Sequence, residues 1–455
     1  MTYDEALEFW YGRINYEVRS AHPADLKLER MRALLRLLGD PQDRFRIVHV
    51  TGTKGKGSTA AMLAEVLQAA GYRVGLFTSP HLSDVRERMR VNGQCISREE
   101  LAARMDEVAP AVLAMETAAG SLPPPTFFEI GTALGFLHFN RRRCDVAVVE
   151  VGLGGRFDST NVCTPVVSVI TNIGLDHMAQ LGPTLEAIAF QKAGIIKRRV
   201  PVVSGVTHDG ARRVIERVAS ENAAPIQQLG RAFRPHATLG ELNAATGMIH
   251  PTRLSFYRSR YPWPTLTVKL LGEHQVTNAA LAVATVEVLR DTGMPITDRA
   301  VAAGLESVRW PGRFEILGTR PLVVLDAAHN VPSAEALIQT LQRCITRLTG
   351  RKRLLFAVSS DKQYTEILRI LGTEFDRLYL CRYGNNPRCV APEKLAQIAA
   401  VAAPRCELSV HATSTEAWNA AKSEAKPEDL ICITGSMFLV GELRPLLTAS
   451  GVAAK

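Results

Sequence analysis

Arg46-Ile47-Val48-His49-Val50, followed by Thr51-Gly52-Thr53-Lys54-Gly55-Lys56-Gly57-Ser58-Thr59, decides how this chain folds. The first five residues have the length and character of a buried strand. Beyond the glycines, Met62, Val66 and Ala69 recur at helical spacing over about Ser58 to Ala70, and Gly71 supplies a stop. A glycine-rich turn therefore lies where a strand feeds a helix. In that context backbone N–H groups and the helix N-terminus point into one concavity and attract phosphate oxygens. Glycine allows close approach of the phosphate, and Lys56 adds a cation beside it. The match to the general P-loop pattern is incomplete. With Gly55-Lys56 as its Gly-Lys, Val50 stands at the first glycine position and Gly57 at the Ser/Thr position.

Outward from this unit, short apolar runs alternate with amphipathic helical patterns, which predicts α/β layers with a largely parallel sheet. Further strands are expected at Arg73 to Phe77, Asp145 to Val151, Val166 to Thr171 and Val200 to Ser204. From His236 to Leu271, Thr-, Tyr- and Val-rich pieces broken by prolines predict an antiparallel excursion. Trp310-Pro311-Gly312 is a turn signal, and a second series follows at Leu322 to Leu325, Arg353 to Val358, Arg377 to Cys381 and Asp429 to Thr434. The fold class is α/β. A P-loop-type, mostly parallel sheet domain is expected over residues 1–308, and a smaller Rossmann-like α/β domain over residues 309–455.

The chain has 455 residues, 46% hydrophobic and 22% charged, which excludes an intrinsically disordered polymer. Its eight cysteines are scattered without a C-x-x-C pair, so zinc and thioredoxin-type motifs are unsupported and reduced thiols are expected. The N-terminus lacks a basic and apolar leader, and nowhere do about 18 apolar residues run together. A cytoplasmic protein without a membrane span is the expectation. The net charge of +9 admits nucleic acid, an acidic membrane surface or small polyanions as partners. Arg141-Arg142-Arg143, Lys197-Arg198-Arg199 and Arg351-Lys352-Arg353 are separate clusters beside strands. They suit solvated loops better than a continuous nucleic-acid stripe.

The loop at 51–59 resembles the Gly-Thr-Asn-Gly-Lys-Gly-Ser loop of folylpolyglutamate and dihydrofolate synthases, within the Mur ligase superfamily, with Lys54 in place of the usual asparagine. The resemblance continues in order along the chain. It includes Thr78-Ser79-Pro80-His81-Leu82 with Glu87-Arg88, similar to the family's mobile folate-side loop, and Thr126-Phe127-Phe128-Glu129. Glu150-Val151-Gly152-Leu153-Gly154-Gly155-Arg156 with Asp158-Ser159-Thr160-Asn161 follows, then Asn172-Ile173-Gly174-Leu175-Asp176-His177 and Lys192-Ala193-Gly194-Ile195. His274-Gln275 with Asn278, Pro311-Gly312-Arg313 and Asp326-Ala327-Ala328-His329-Asn330 complete the series. Gly435-Ser436 with Val440-Gly441 is a weaker addition.

The resemblance implies an ATP-dependent ligase that adds L-glutamate to a folate, to dihydropteroate or to both through an acyl phosphate. Nucleotide contacts are then expected from Gly52, Thr53, Lys54, Gly55, Lys56, Gly57, Ser58, Thr59, Asn278, Arg313 and Asp326. Two magnesium ions are implied, with Ser79, Glu150, His177 and Lys192 as metal residues. A place at the C-terminal end of a buried-looking strand, before Gly-Leu-Gly-Gly, also suits Glu150 to this role on physical grounds, because ligands bind there in open parallel sheets and magnesium prefers oxygen ligands. Lys192 matches a lysine that is carbamylated in many superfamily members, although Gln191 replaces the glutamate usual before it. Lys56, His177, Lys192, Asp326 and His329 are the implied catalytic set. ATP, glutamate and a pterin-bearing acceptor are the expected partners, acting on a monomer without nucleic acid or membrane. A muramyl-peptide ligase and a nucleic-acid-binding P-loop ATPase stay open as alternatives at this point. The former is disfavoured by the lead of about fifty residues before the loop, too short for a separate nucleotide-sugar domain by family resemblance.

Overall fold

The computed structural model describes residues 1–16, 27–117, 122–384 and 386–449. Among them, eight strands form one large sheet: β1 (Arg46–Thr51), β2 (Val74–Phe77), β3 (Met89–Val91), β4 (Gln94–Cys95), β5 (Val146–Glu150), β6 (Val167–Ile170), β7 (Val202–Ser204) and β8 (Ile226–Gln228). Their spatial order is β4-β3-β2-β5-β1-β6-β7-β8. From β2 to β8 every pairing is parallel, and only the β2–β3–β4 edge is antiparallel. The chain leaves β1 toward β2 on one side and returns from β5 to β6 on the other. The crevice beyond the C-terminal end of β1 is thus the switch point where open α/β sheets bind ligands.

Both faces of this sheet are covered, as near-continuous apolar strands require. Val48 and Val50 face the helices Lys56–Ala69, Glu273–Asp291 and Asp298–Ser307. Ile47 and Val149 face Tyr3–Tyr11, Glu29–Leu37, Arg98–Thr117 and Phe127–Arg141. Each fully buried aliphatic side chain contributes roughly 1.5–3 kcal/mol. The helix after β1 begins at Lys56, two residues earlier than its apolar periodicity suggested.

The antiparallel excursion is present. It contains β9 (Arg234–Thr238), β10 (Glu241–Asn243), β11 (Ile249–His250), β12 (Thr252–Arg258) and β13 (Leu266–Val268). β12 pairs antiparallel with both β9 and β13, while β10 pairs antiparallel with β11. The second large sheet comprises β14 (Glu315–Thr319), β15 (Leu322–Leu325), β17 (Lys352–Phe356), β18 (Arg377–Leu380), β19 (Glu407–Val410) and β20 (Leu430–Thr434). Its order is β14-β15-β20-β17-β18-β19, parallel except for β14 against β15. The short β16 (Ile345–Thr346) instead pairs with β10 of the excursion. Strands β8, β14, β16 and β19 carry too few consecutive large apolar residues to stand out in the sequence. None of the described helices is long and apolar enough to cross a membrane.

Candidate functional site at the strand ends

The phosphate loop owes its shape to contacts from the segment after β6. Thr53 N–H donates to the carbonyl of Asn172 at 3.0 Å, and Lys54 N–H to Asn172 Oδ1 at 2.8 Å. Thr171 Oγ1 donates to the Lys54 carbonyl at 2.5 Å, while Gly174 N–H donates to Thr53 Oγ1 at 3.0 Å. Two glycines are required by space as well as by backbone angle. A Cβ on Gly52 would stand 1.8 Å from Thr171 Oγ1, and one on Gly55, at φ +79°, would stand 2.3 Å from Asn278 Oδ1. Gly55 caps the helix Lys56–Ala69, so the loop's positive dipole end and the Lys56 cation coincide. The sequence marks Thr171 only as a strand end, Trp310 only as part of a turn signal and Asn172 only as a motif residue, none of them with a role at the loop. A Cβ on Gly57 would meet the Trp310 ring at 3.2 Å and Glu150 Oε2 at 3.4 Å, which puts all three at one corner.

Glu150 ends β5 at 5% exposure, and its Oε2 accepts from Ser79 N–H at 3.3 Å. Burial raises its pKa, while Lys56, the Ser79 amide and Arg313 oppose the rise. Lys192 is 4% exposed, and its Nζ donates to the Gly52 carbonyl at 2.9 Å. Burial, with Lys56 second, pushes its pKa well down, which favours the neutral amine. Ser79, Glu150 and Lys192 thus surround the loop. His177 follows at positive φ on a half-exposed turn, 3.9 Å from Asp176. Asp176 makes the stronger contact, with Oδ2 accepting from Lys54 Nζ at 2.9 Å. The lysine that departs from the family loop therefore has a built-in counter-ion. Despite the penalty of burial, Lys54 and His177 hold the Asp176 carboxyl far below the usual range.

The second sheet presents its own strand ends to the same region. Asp326, just after β15, accepts from Phe314 N–H at 2.8 Å and Ala328 N–H at 2.9 Å. It ties the Pro-Gly-Arg segment to the strand end. His329 Nδ1 lies 2.8 Å from the Ala327 carbonyl, and Ala327 keeps an ordinary negative φ, so alanine in place of glycine causes no strain. Burial lowers His329 to about 3, with the charges of Lys54, Lys362 and Arg313 acting in the same sense. Lys362, in the turn after β17, is a cation the sequence reading passed over. It adds to the downward shift of both Asp176 and His177 across the domain junction. Arg313 Nη1 donates to the adjacent Gly312 carbonyl at 3.2 Å, and its charge reaches Glu150 and Asp326. Asn278 Nδ2 donates to Gln275 Oε1 at 2.9 Å, with its carbonyl oxygen against Gly55.

Residues 50–286 match the Mur ligase middle domain, and residues 312–437 match the Mur ligase glutamate ligase domain. A dihydrofolate synthase/folylpolyglutamate synthase of Bacillus subtilis is 36% identical, over 98% of this chain and 99% of the relative. The chain belongs to the folylpolyglutamate synthase/dihydrofolate synthase family of Mur ligases. The folylpolyglutamate synthase of Lacticaseibacillus casei is also 36% identical, over 92% of this chain and 94% of its own. The structure of Escherichia coli FolC with DHPP and ADP superposes with a TM-score of 0.83 at 30% identity, covering 99% of this chain and 98% of that one. Mycobacterium tuberculosis folylpolyglutamate synthase, solved with ADP and AMPPCP, gives 0.84 at 32%, covering 93% and 95%.

Several motifs that mark the family do structural work here. Thr126-Phe127-Phe128-Glu129 is a capping box: Glu129 N–H donates to Thr126 Oγ1 at 3.3 Å, and Thr126 N–H to Glu129 Oε2 at 2.8 Å. The same carboxylate takes the Arg30 guanidinium in a buried pair at 2.7 Å. Asp158 accepts from Leu153 N–H at 2.9 Å and Thr160 N–H at 3.0 Å, while Asn161 Nδ2 donates to the carbonyls of Arg156 and Gly194. Asp158 and Asn161 thus hold the turn after β5, and the capping box starts the helix Phe127–Arg141.

Proposed function

We propose that this chain joins L-glutamate to a pterin-bearing acceptor, a folate or dihydropteroate, with cleavage of ATP to ADP and phosphate. The observation that carries this is the loop 51–59 seated at a helix N-terminus beside Glu150, Ser79 and Lys192, within a chain related end to end to named synthases. Lys56 and the loop amides neutralise the triphosphate. The acceptor carboxylate attacks the γ-phosphorus, the bond to the β-phosphate oxygen breaks, and ADP leaves an acyl phosphate. The glutamate amine then attacks the acyl carbon and expels phosphate. A carbonyl only accepts, so the 2.8 Å contact to Ala327 fixes the proton on His329 Nδ1 and leaves Nε2 as a lone pair. That nitrogen is assigned the amine's proton, with the anionic substrates opposing the downward push of the surrounding cations.

Residues near the loop fit magnesium. Glu150 offers a buried carboxylate that accepts from the Ser79 N–H, and Lys192 offers a buried amine, its pKa pushed well down by burial, of the kind that adds carbon dioxide to become a carbamate. Ser79, Glu150, His177 and carbamylated Lys192 are proposed to hold the metal, which would offset the repulsion between carboxylate and triphosphate. Asn278 is assigned to the adenine side, and Arg313 and Asp326 to the phosphate side of the second domain. We also assign the division between domains to residues 308 and 309, just before Trp310, and the working state to a cytoplasmic monomer that does not bind nucleic acid.

The deciding experiment measures ADP release with glutamate plus either dihydropteroate or tetrahydrofolate. Release with either acceptor supports the reading, and a single active acceptor shows which synthase this is. Release with neither rejects it. Lys56→Ala is expected to abolish the glutamate-dependent release and leave the melting temperature within a few degrees of the parent.

A further inference from the structure

Within the helix Met437–Ala449, two residues break the rules for a helix interior. Gly441 is unfavourable relative to alanine at such a position, because glycine loses more backbone freedom in a helix. Pro445, four residues later, has no N–H, so the Gly441 carbonyl loses the partner that an α-helix would give it. Both defects meet one segment of the other domain. A Cβ on Gly441 would stand 1.9 Å from the carbonyl oxygen of Leu82, and Ser83 Oγ donates to the stranded Gly441 carbonyl at 2.9 Å. Leu82 itself enters the apolar cluster beneath that helix, with its methyl carbons 3.4 and 3.5 Å from where a Cβ on Gly312 would be. The missing Cβ makes room for one backbone, and the missing N–H frees an acceptor for the next hydroxyl.

We infer that Gly441 and Pro445 form a socket in the second domain that holds Leu82–Ser83. Through it, the second domain positions the loop 79–87, which starts on Glu150 and which is similar to the family's folate-side loop. The loop is stiff enough to transmit the hold. Glu87 accepts from the N–H groups of Leu82, Ser83 and Asp84 at 2.9–3.0 Å, and Arg88 Nε donates to His81 Nδ1 at 2.9 Å. At its start, Ser79 N–H is on Glu150. Docking of the second domain and placement of this loop are therefore one event, and Ser83, Gly441 and Pro445 are positioning residues. The kinetic part of the inference rests on the function proposed above.

The test uses the full chain and the variants Ser83→Ala and Pro445→Ala. Pro445→Ala restores the helix N–H, which recaptures the Gly441 carbonyl. It is expected to raise the melting temperature while weakening the latch, so lost activity cannot be put down to misfolding. Both variants should show faster amide hydrogen exchange across residues 79–87. The KM for the acceptor should rise about fivefold, the scale of one lost hydrogen bond, with ADP affinity unchanged. Unaltered exchange in both variants overturns the latch. Faster exchange with an unaltered acceptor KM overturns its link to the acceptor. Failure of the proposed function would show separately, as absence of acceptor-dependent ADP release in the parent protein.

Discussion

Two carboxylates stand at equivalent places in the two sheets. Glu150 ends β5 beside the phosphate loop, and Asp326 follows β15 in the second domain. Burial raises the pKa of both, and Arg313 opposes the rise in each case. They differ in their donors. Asp326 receives two backbone N–H groups, from Phe314 and Ala328, which close a turn around it. Glu150 receives a single N–H, from Ser79. A carboxylate has about four lone-pair sites, so Glu150 retains most of its capacity for a cation. The two strand-end acids thus differ in spare capacity: both Asp326 oxygens are taken by backbone donors, whereas Glu150 keeps most of its lone pairs.

The strongest way to break this comparison is Glu150→Gln. If Glu150 is the free ligand, the rate of glutamate-dependent ADP release should fall by about 100-fold or more. Thermal stability should hold or rise, because a buried charge has been removed. A melting temperature that drops with the rate would place Glu150 with Asp326. Asp326→Asn sharpens the other side. An amide presents N–H where two backbone donors already point, so chemical denaturation should show a loss of about 1–3 kcal/mol. Unchanged stability would deny Asp326 its turn-closing role.

His49 extends the comparison to a buried group at the centre of β1, where its Nε2 lies 2.8 Å from Thr160 Oγ1. Burial lowers it to about 3. The native state then binds fewer protons than the unfolded chain, whose imidazole titrates at about 6.5. Its stabilising contribution is present above that value and is lost as pH falls toward 3. The loss has a slope of up to about 1.4 kcal/mol per pH unit. Denaturation at pH 7 and pH 5 should show the loss, and His49→Gln should flatten the slope.

The smallest effect is expected from Lys54→Asn, which removes the ion pair with Asp176. Both partners are partly exposed, so the stability change should stay within about 0.5–1 kcal/mol. The KM for ATP should move two- to fivefold. A hundredfold change would make Lys54 as indispensable as Lys56.

Much of the architecture was legible because apolar runs such as Val146–Val149 and Leu322–Leu325 have no stable place except inside a sheet covered on both faces. The loop at 51–59 was legible for a related reason, since closely spaced glycines between a strand and a helix answer a steric demand. Ser79, Glu150 and Lys192 are brought around that loop. The ion pair of Lys54 with Asp176, and the electrostatic influence of Lys362 on this region, were not legible. They join residues far apart in sequence, and neither lysine lies in a periodic pattern. The capping-box role of Thr126 and Glu129 was hidden in a different way. A polar signature beside aromatic residues looks like a binding motif until its partners are known.

The pairing of β16 with β10 bears on how the halves can move. Leu242 lies opposite Ile345 and Asn243 opposite Thr346, and Arg320 donates to the Ala245 carbonyl nearby at 3.2 Å. A finger from the first half therefore grips the second at a point well removed in sequence from the Trp310 connection. A body tethered at one point can swivel in any direction, whereas one tethered at two is left with a single axis. A swing of the second sheet that keeps this pairing and the chain connection, while releasing the Leu82–Ser83 socket and the Glu273–Arg343 ion pair, is confined to rotation about the line through those two attachments, like a door on a pair of hinges.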